Sequence, residues 1–258
     1  MSALAAAALH LARPSMTEWA DDASVQLHTA PQPTDTAVAV AEGPDPHRVL
    51  LIGSGPAAGR GTTSHDLALT GALARALRSA TARGAVVEAA VDSSMTVACV
   101  APVLARHDLA LYDAVVVCIG DVDALRGLGV ENWRERWSAA LALWQRRMPH
   151  PRPLLIVGVG GMADESGVGS VHGWLAEHLA VRYNDATEQL VRGVPGAQTT
   201  LLPRTDRVGG RPTAEAYALW GAQLAAELST ALIRGHASEP ATLKLRRGVE
   251  QLGSSLGS

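Results

Sequence analysis

The 258-residue sequence contains no phenylalanine, and aromatic residues make up only 3% of it. Its core must therefore be built largely from Ala, Val and Leu. A charge of one dominant sign is also lacking, because the formal net charge is −3 with 18% charged and 47% hydrophobic residues. This balance excludes a disordered acidic or basic chain. It also gives no overall electrostatic attraction toward nucleic acid, so no nucleic-acid partner is predicted.

Cysteines and long apolar runs are scarce as well. Cys99 and Cys118 lie in apolar runs and predict buried free thiols rather than a disulfide framework. No run of about 20 apolar residues exists, so no membrane partner is predicted. The opening MSALAAAALHLA is too short for a membrane span and lacks a positive n-region, so a cytoplasmic protein is expected. Neither a metal-ligand spacing nor a phosphate-loop motif is present, which predicts no metal and no cofactor.

Apolar runs alternate with helical patterns along the middle of the chain. The predicted strands are 47–53, 86–91, 112–120, 153–161 and 199–203, and the predicted helices are 66–83, 97–106, 132–147, 170–192 and 213–234. This alternation predicts one α/β domain over 47–235, with a five-stranded parallel sheet between helices. In such sheets ligands bind at the carboxyl ends of the strands.

Both ends of the chain depart from this pattern. Residues 1–46 are predicted to be a disordered or misannotated extension, with Met16 as an alternative start. Residues 236–258 are predicted to be a disordered tail, in which RGVEQLGSSLGS resembles the translation of a methionine tRNA gene.

The loop GSGPAAGRGTTSHD (53–66) follows the first predicted strand and contains four glycines. Ser54 lies just past the strand among these glycines, as a nucleophile with open access would. One alternative is a dinucleotide fingerprint formed by Gly53, Gly55 and Ala58, which requires a helix to open inside the motif. Here the next predicted helix is delayed to about His65. The simplest alternative is that Ser54 only forms a turn.

Three blocks of the sequence resemble the SGNH/GDSL hydrolases, and most closely the actinobacterial members with a GSGPA opening. RVLLIGSGPAAGRG is similar to their first block, YDAVVVCIGDVDAL (112–125) to their third, and TDRVGGRPTAEAYALWGAQLAAEL (205–228) to their last. Order and spacing match from about residue 47 to 230. The resemblance implies a flavodoxin-like three-layer sandwich and an SGNH-type esterase or acylhydrolase acting on a small-molecule ester or acyl substrate.

The chain departs from the family at the motif residues themselves. Gly55 aligns with the nucleophilic serine, so that the hydroxyl of Ser54 comes one residue early. Val122 occupies the position of the oxyanion-hole asparagine and cannot donate a hydrogen bond. Arg211 occupies the position of the catalytic histidine and cannot act as a base at neutral pH.

Under this resemblance, the residues with expected roles can still be named. Ser54 is the expected nucleophile, His65 the expected base with His172 as second candidate, and Asp206 the orienting carboxylate. The expected oxyanion and binding residues are Gly55, Ser94 and Gly120 through their N–H groups, Asp123 as a hydrogen-bonding anchor of its block, and Arg211 near a small acidic or sugar ligand. A catalytically impaired SGNH-fold binding or interaction protein is the alternative function, and a nucleotide-binding domain is a further one. The oligomeric state stays open.

Overall fold

A six-stranded sheet forms the centre of the computed structural model, which describes residues 32–148, 150–160, 171–205, 207–208 and 211–237. Its strands are β1 (Val38–Ala41), β2 (His47–Gly53), β3 (Ala85–Val91), β4 (Ala114–Cys118), β5 (Leu154–Val157) and β6 (Ala197–Thr200). They lie in the order β1-β3-β2-β4-β5-β6. β2 to β6 are mutually parallel, whereas β1 pairs antiparallel with β3 at one edge.

Helices cover both faces of the sheet. They are α1 (Leu69–Thr81), α2 (Val100–Arg106), α3 (Asp121–Leu125), α4 (Val130–Arg147), α5 (Val171–Val191) and α6 (Ala214–Ala237). α1 and α6 pack together on one face, and α2 to α5 cover the other. Two short 3₁₀ turns (Val97–Cys99 and Leu109–Leu111) and a two-stranded ribbon, β7 (Arg207–Val208) with β8 (Arg211–Pro212), complete the described elements.

The alternation of side chains along β2 explains the two cores. Leu50 and Ile52 enter the core beneath α2 to α5, while Val49 and Leu51 enter the core beneath α1 and α6. Successive residues of a strand point to opposite faces, so an uninterrupted apolar strand needs a covering layer on each side. The run HRVLLIG therefore requires the three-layer arrangement.

The two helical layers pack against the sheet with different kinds of side chain. On α4, Trp133, Trp137 and Trp144 form a buried stripe, and Trp133 stacks on Tyr183 with ring centroids 4.2 Å apart. Between α1 and α6 the contact is made by small residues, since a Cβ on Gly221 would lie 2.6 Å from a backbone atom of Ala72. The tryptophan stripe thus fills much of one core, whereas the other combines close helix approach with the Tyr217 and Trp220 rings.

The predicted α/β alternation is confirmed, and its five parallel strands have the flavodoxin-like sequence order 2-1-3-4-5. One correction concerns β1, a sixth strand within the segment expected to be unstructured. Its four residues alternate, with Ala39 and Ala41 buried and Val38 and Val40 exposed, and so pair with the free edge of β3. Residues 1–31 of the predicted extension and the tail from 238 lie outside the described residues.

The expectation of free thiols has a structural counterpart. Both cysteines are free, with Cys118 buried and Cys99 partly buried. None of the described helices is long and apolar enough to cross a membrane.

Candidate active site at the switch point

The site lies where the chain reverses its direction of travel across the sheet. β2 lies between β3 and β4, so the connection from β2 runs one way and the later connection runs the other. Gly53 at the end of β2 is in register with Cys118 at the end of β4. The residues that leave these two strands therefore meet, and Ser54 Oγ donates a 2.6 Å hydrogen bond to Asp121 Oδ1.

Glycines make this approach possible. Gly53 has φ +148°, and a Cβ there would lie 1.8 Å from the carbonyl oxygen of Cys118. Gly55 has φ +50°, and a Cβ there would lie 2.4 Å from Asp121 Oδ2. A serine at position 55, where the family motif has its nucleophile, would collide with Asp121. The contact between the Ser54 hydroxyl and the Asp121 carboxylate therefore depends on glycine at position 55.

Asp121 is surrounded by groups that suit a carboxylate anion. Its Oδ1 also accepts the N–H of Val122 at 3.0 Å, and its Oδ2 lies 3.9 Å from Arg60 Nη2. Arg60 is 6% exposed, and its carbonyl accepts a 2.8 Å hydrogen bond from the Tyr217 hydroxyl. Charge-assisted contacts of this kind hold a partly buried carboxylate in one orientation.

Ser54 and Asp121 lie in the wall of a cavity of about 280 Å³ at the carboxyl end of the sheet. A second cavity of about 290 Å³ adjoins it across the residues that follow β5. Asn184 on α5 fixes this dividing segment, because its amide accepts from the N–H of Val159 and donates to the carbonyl of the same residue, both at 2.8 Å. The wall between the cavities is thus held by side chain to main chain bonds.

The predicted triad is not assembled among the described residues. The ring of His65 lies 3.4 Å from Thr70 Oγ1 through Nδ1, and no described hydrogen bond joins it to Ser54. Burial lowers the pKa of His65, and the charge of Asp35 acts in the opposite direction. Neither His65 nor His172 belongs to the described lining of the Ser54 cavity. Asp206 lies outside the described residues.

The predicted oxyanion donors divide into two groups. The N–H groups of Gly55 and Gly120 have no acceptor among the described residues. The N–H of Ser94 is occupied, because it donates to Asp92 Oδ1 at 2.7 Å. The N–H of Ser54 is also used, by the Cys118 carbonyl at 2.9 Å. Two of the three named donors therefore have no described acceptor, although neither Gly55 nor Gly120 belongs to the described lining of the Ser54 cavity.

Asp123 and Arg211 are positioned away from the cavity. Asp123 is buried, and its Oδ2 accepts the N–H of Val97 at 2.9 Å, which anchors α3 to the neighbouring 3₁₀ turn. Burial raises the pKa of Asp123 to about 7, although the Val97 hydrogen bond acts to lower it. Arg211 is exposed on β8, where its Cβ would lie 3.2 Å from a Cβ on Gly61. Neither residue is part of the described cavity lining.

Sequence reasoning missed Asp121, although a signal for it was present. Asp121 follows Gly120 at the exit of a strong apolar strand, and Ser54 follows Gly53 at the exit of another. In the flavodoxin order these two strands are neighbours, so the two exit residues are expected to touch. The family motif drew attention to position 122 instead.

The nucleotide-binding alternative gains no support from the loop geometry. The residues after Gly53 form successive turns, and α1 begins only at Leu69. The N-terminus of that helix therefore does not open within the fingerprint glycines, as pyrophosphate binding requires. Within the described part of the chain, no group of three or more His, Cys, Asp or Glu side chains is placed to hold a metal ion.

Several solved structures named as esterases or lipases have the same fold. The lipase Lip_vut3 from a goat rumen metagenome aligns with TM-score 0.55 and 11% identity, over 70% of this chain and 96% of that one. An inhibitor-bound aryl esterase from M. smegmatis aligns with TM-score 0.52 and 17% identity, over 72% of this chain and 99% of that one. Est24, a carbohydrate acetylesterase from Sinorhizobium meliloti, aligns with TM-score 0.51 and 15% identity, over 71% of this chain and 99% of that one.

No protein-family model and no curated protein sequence matches the chain. The structural likeness nevertheless confirms the predicted three-layer α/β fold. The actinobacterial subtype stays a prediction.

Proposed function

We propose that this protein is a serine esterase that hydrolyses small esters or acyl groups, with Ser54 as nucleophile and Asp121 as its proton acceptor. The observation that carries the proposal is the 2.6 Å hydrogen bond from Ser54 Oγ to Asp121 Oδ1 in the wall of a cavity. A nucleophile and its base within hydrogen-bond reach are the geometry that covalent acyl transfer requires.

The reaction starts from the hydrogen-bonded pair of Ser54 and Asp121. Ser54 Oγ attacks the ester carbonyl carbon while its proton passes to Asp121 Oδ1, and the carbonyl oxygen becomes the oxyanion. The N–H groups of Gly55 and Gly120 are the donors for this oxyanion. Collapse of the tetrahedral intermediate breaks the bond to the alcohol, which takes the proton from Asp121. Water then adds to the acyl-serine and passes a proton to Asp121. Asp121 returns that proton to Ser54 Oγ as the second intermediate collapses, which releases the acid and restores the free serine and the carboxylate.

Two features make slow turnover the expected result. Val122 has no side-chain donor, and the loss of one oxyanion donor costs about 2.7–4 kcal/mol of transition-state stabilisation. A carboxylate is also a weaker base than an imidazole at neutral pH, because its pKa normally lies further from the operating pH. The neighbouring thiol does not compete as nucleophile, because burial, with Asp121 adding to it, raises the pKa of Cys118.

The test combines turnover with covalent labelling. Hydrolysis of p-nitrophenyl acetate and labelling by a fluorophosphonate probe, read by intact mass, are measured for the wild type and for Ser54→Ala. Ser138→Ala is the control, because Ser138 is exposed on α4 and does not line the cavity. We expect the label and the turnover to disappear only in Ser54→Ala. Equal hydrolysis by Ser54→Ala would remove the proposal.

A ligand-binding protein without turnover is the second candidate. It is favoured by the occupied N–H of Ser94, which donates to Asp92, and by the missing donor at Val122. Its partner would again be a small molecule in the Ser54 cavity. A protein that takes no fluorophosphonate label at any pH, yet is protected against thermal unfolding by the intact ester, would have this function.

A further inference from the structure

The cavity beside Ser54 contains two polar atoms that the protein leaves unsatisfied. Glu177 Oε2 on α5 and Thr205 Oγ1 after β6 are both buried, and neither has a hydrogen-bond partner among the described residues. Both residues line the same cavity of about 280 Å³. A buried polar atom left unpaired costs about 1–3 kcal/mol, so two such atoms in the wall of one cavity require an explanation.

The chemistry of the two atoms defines what satisfies them. A carboxylate oxygen only accepts hydrogen bonds, whereas a threonine hydroxyl both donates and accepts. A ligand hydroxyl can donate to Glu177 or accept from Thr205, so it suits either atom. An ammonium group can only donate, and the guanidinium of Arg204, which lines the same cavity, opposes a second cation. The combination therefore favours a neutral hydroxyl.

The rest of the wall is suited to hydrocarbon. Val181, Leu201 and Trp220 line the cavity between the polar positions, and Trp220 Nε1 is already bonded to the Pro203 carbonyl at 2.9 Å. A carbon chain that joins an ester at Ser54 to a distant hydroxyl would have apolar surface along its length. Pockets with a few placed polar groups on an apolar wall obtain their specificity from those groups.

We propose that Glu177 and Thr205 form a hydroxyl-binding subsite, so that the preferred substrate is an ester whose alcohol part bears a second, free hydroxyl. This inference rests on the proposed esterase function and adds a substrate class to it. Glu177 and Thr205 are then specificity-determining residues. The bond-making step at Ser54 is unchanged.

Matched pairs of acetates test the subsite. In each pair the terminal hydroxyl of one ester is replaced by a methyl group in the other: 2-hydroxyethyl with propyl, 3-hydroxypropyl with butyl, and 4-hydroxybutyl with pentyl acetate. We expect kcat/KM to favour the hydroxylated ester by roughly tenfold to a hundredfold in at least one pair, since hydrogen bonds to charged groups contribute about 1.5–3 kcal/mol. The pair with the largest ratio gives the spacing between Ser54 and the subsite.

Variants assign the preference to the two residues. Glu177→Leu and Thr205→Val should bring the ratio within a pair close to one, and Glu177→Gln, which keeps an accepting oxygen, should retain part of it. Asp185→Leu is the control, because Asp185 is exposed on the same helix and does not line the cavity. Circular dichroism of each variant establishes that it is folded. A ratio unchanged in Glu177→Leu would overturn the assignment.

Binding separates this inference from the function on which it rests. Saturation-transfer NMR compares binding of 3-hydroxypropyl and butyl acetate to the wild type without requiring turnover. Hydrolysis with no preference in any pair would overturn the subsite and leave the esterase. Preferential binding with no hydrolysis would overturn the esterase and support the subsite. Preference for 2-(trimethylammonio)ethyl acetate over 3-hydroxypropyl acetate would overturn the choice of a neutral hydroxyl.

Discussion

The polar groups at the two ends of the sheet differ in whether they contact one another or face a cavity. At the amino end, Asp113 Oδ2 accepts the N–H of Arg48 at 2.8 Å, and its Oδ1 lies 3.6 Å from Arg152 Nη1. Arg152 also donates to the carbonyl of Tyr112. These contacts join the starts of β2, β4 and β5. Asp113 and Arg152 are therefore paired at this end, while Arg48 Nε is buried with no partner among the described residues.

At the carboxyl end the polar groups face a cavity instead. Ser54 and Asp121 line it, and Glu177 and Thr205 contribute atoms with no described partner. Closing a polar network stabilises a fold, whereas leaving it open preserves groups that a ligand can use. If the proposed function holds, the amino end serves stability and the carboxyl end serves binding and chemistry. The following substitutions test that division.

The largest effect is expected at Gly120, whose backbone shapes the carboxyl end. It has φ +125°, and a Cβ there would lie 2.4 Å from Val159 Cγ2 and 2.8 Å from the Trp133 ring. Backbone strain and overpacking each cost about 1–3 kcal/mol, so Gly120→Ala should lose about 4 kcal/mol of unfolding free energy in urea.

Gly129→Ala is the matched control for Gly120→Ala. A Cβ at Gly129 would meet only Asn132 Nδ2, at 3.9 Å, and its φ is −65°. Because Gly129 is the N-cap of α4, where alanine is less favourable than glycine, its unfolding free energy should fall by no more than about 1 kcal/mol. Similar losses in both variants would show that the carboxyl end has no special backbone requirement.

The second effect concerns the pH dependence of stability at Asp123. Its pKa is raised from 3.8 to about 7 in the folded protein, chiefly by burial. Between these values the folded state holds a proton that the unfolded state has released. Asp123 therefore stabilises the fold fully below about pH 4, and this contribution is lost as the pH rises through about 7. The change is at most about 4 kcal/mol.

Asp123→Asn should remove this part of the pH dependence. An asparagine oxygen can still accept the N–H of Val97 and does not ionise. The variant should therefore gain stability relative to the wild type between pH 4 and pH 8, measured by urea unfolding at both pH values. Asp185→Asn, at an exposed position on α5, should show no such gain. A constant difference between wild type and Asp123→Asn would contradict the raised pKa.

The predictability of the fold and of the site differs for a physical reason. The apolar runs that became β2 and β4 predicted the parallel sheet, because a strand buried on both faces leaves a continuous hydrophobic signal. The edge strand β1 has only four residues with a shallow Ala/Val alternation, which no local pattern separates from a loop. Ser54 was predicted because it directly follows such a run.

The partner of Ser54 could not be read from a local pattern. Asp121 is distant in sequence, and its proximity depends on β2 and β4 being neighbours in register. His65, chosen for its position in the same loop, contacts Thr70 instead. Sequence distance was thus a poor guide to spatial distance at the switch point. The unpaired atom of Glu177 likewise depends on the packing of α5.

The third effect separates the two ends by activity. Asp121→Asn removes the proton acceptor of Ser54 while it keeps a similar shape, so kcat/KM for p-nitrophenyl acetate should fall about a hundredfold. Asp113→Asn makes the same chemical change at the amino end, away from the cavity, and should leave kcat/KM within about twofold. Equal activity in both variants would show that the carboxylate at 121 takes no part in the reaction.

The smallest effect tests whether the amino end stabilises the fold. Asp113→Ala removes the acceptor of the Arg48 N–H and a partner of Arg152, and should cost about 2 kcal/mol of unfolding free energy. Asp66→Ala breaks the shorter ion pair with Arg75, at 2.8 Å, but the Asp66 side chain is 67% exposed against 15% for Asp113. An exposed ion pair contributes about 0–1 kcal/mol. Asp66→Ala should therefore lose less unfolding free energy than Asp113→Ala, even though the Asp66–Arg75 distance is shorter. If Asp66→Ala lost as much as Asp113→Ala, burial at the amino end would confer no advantage and the proposed division of roles would fail.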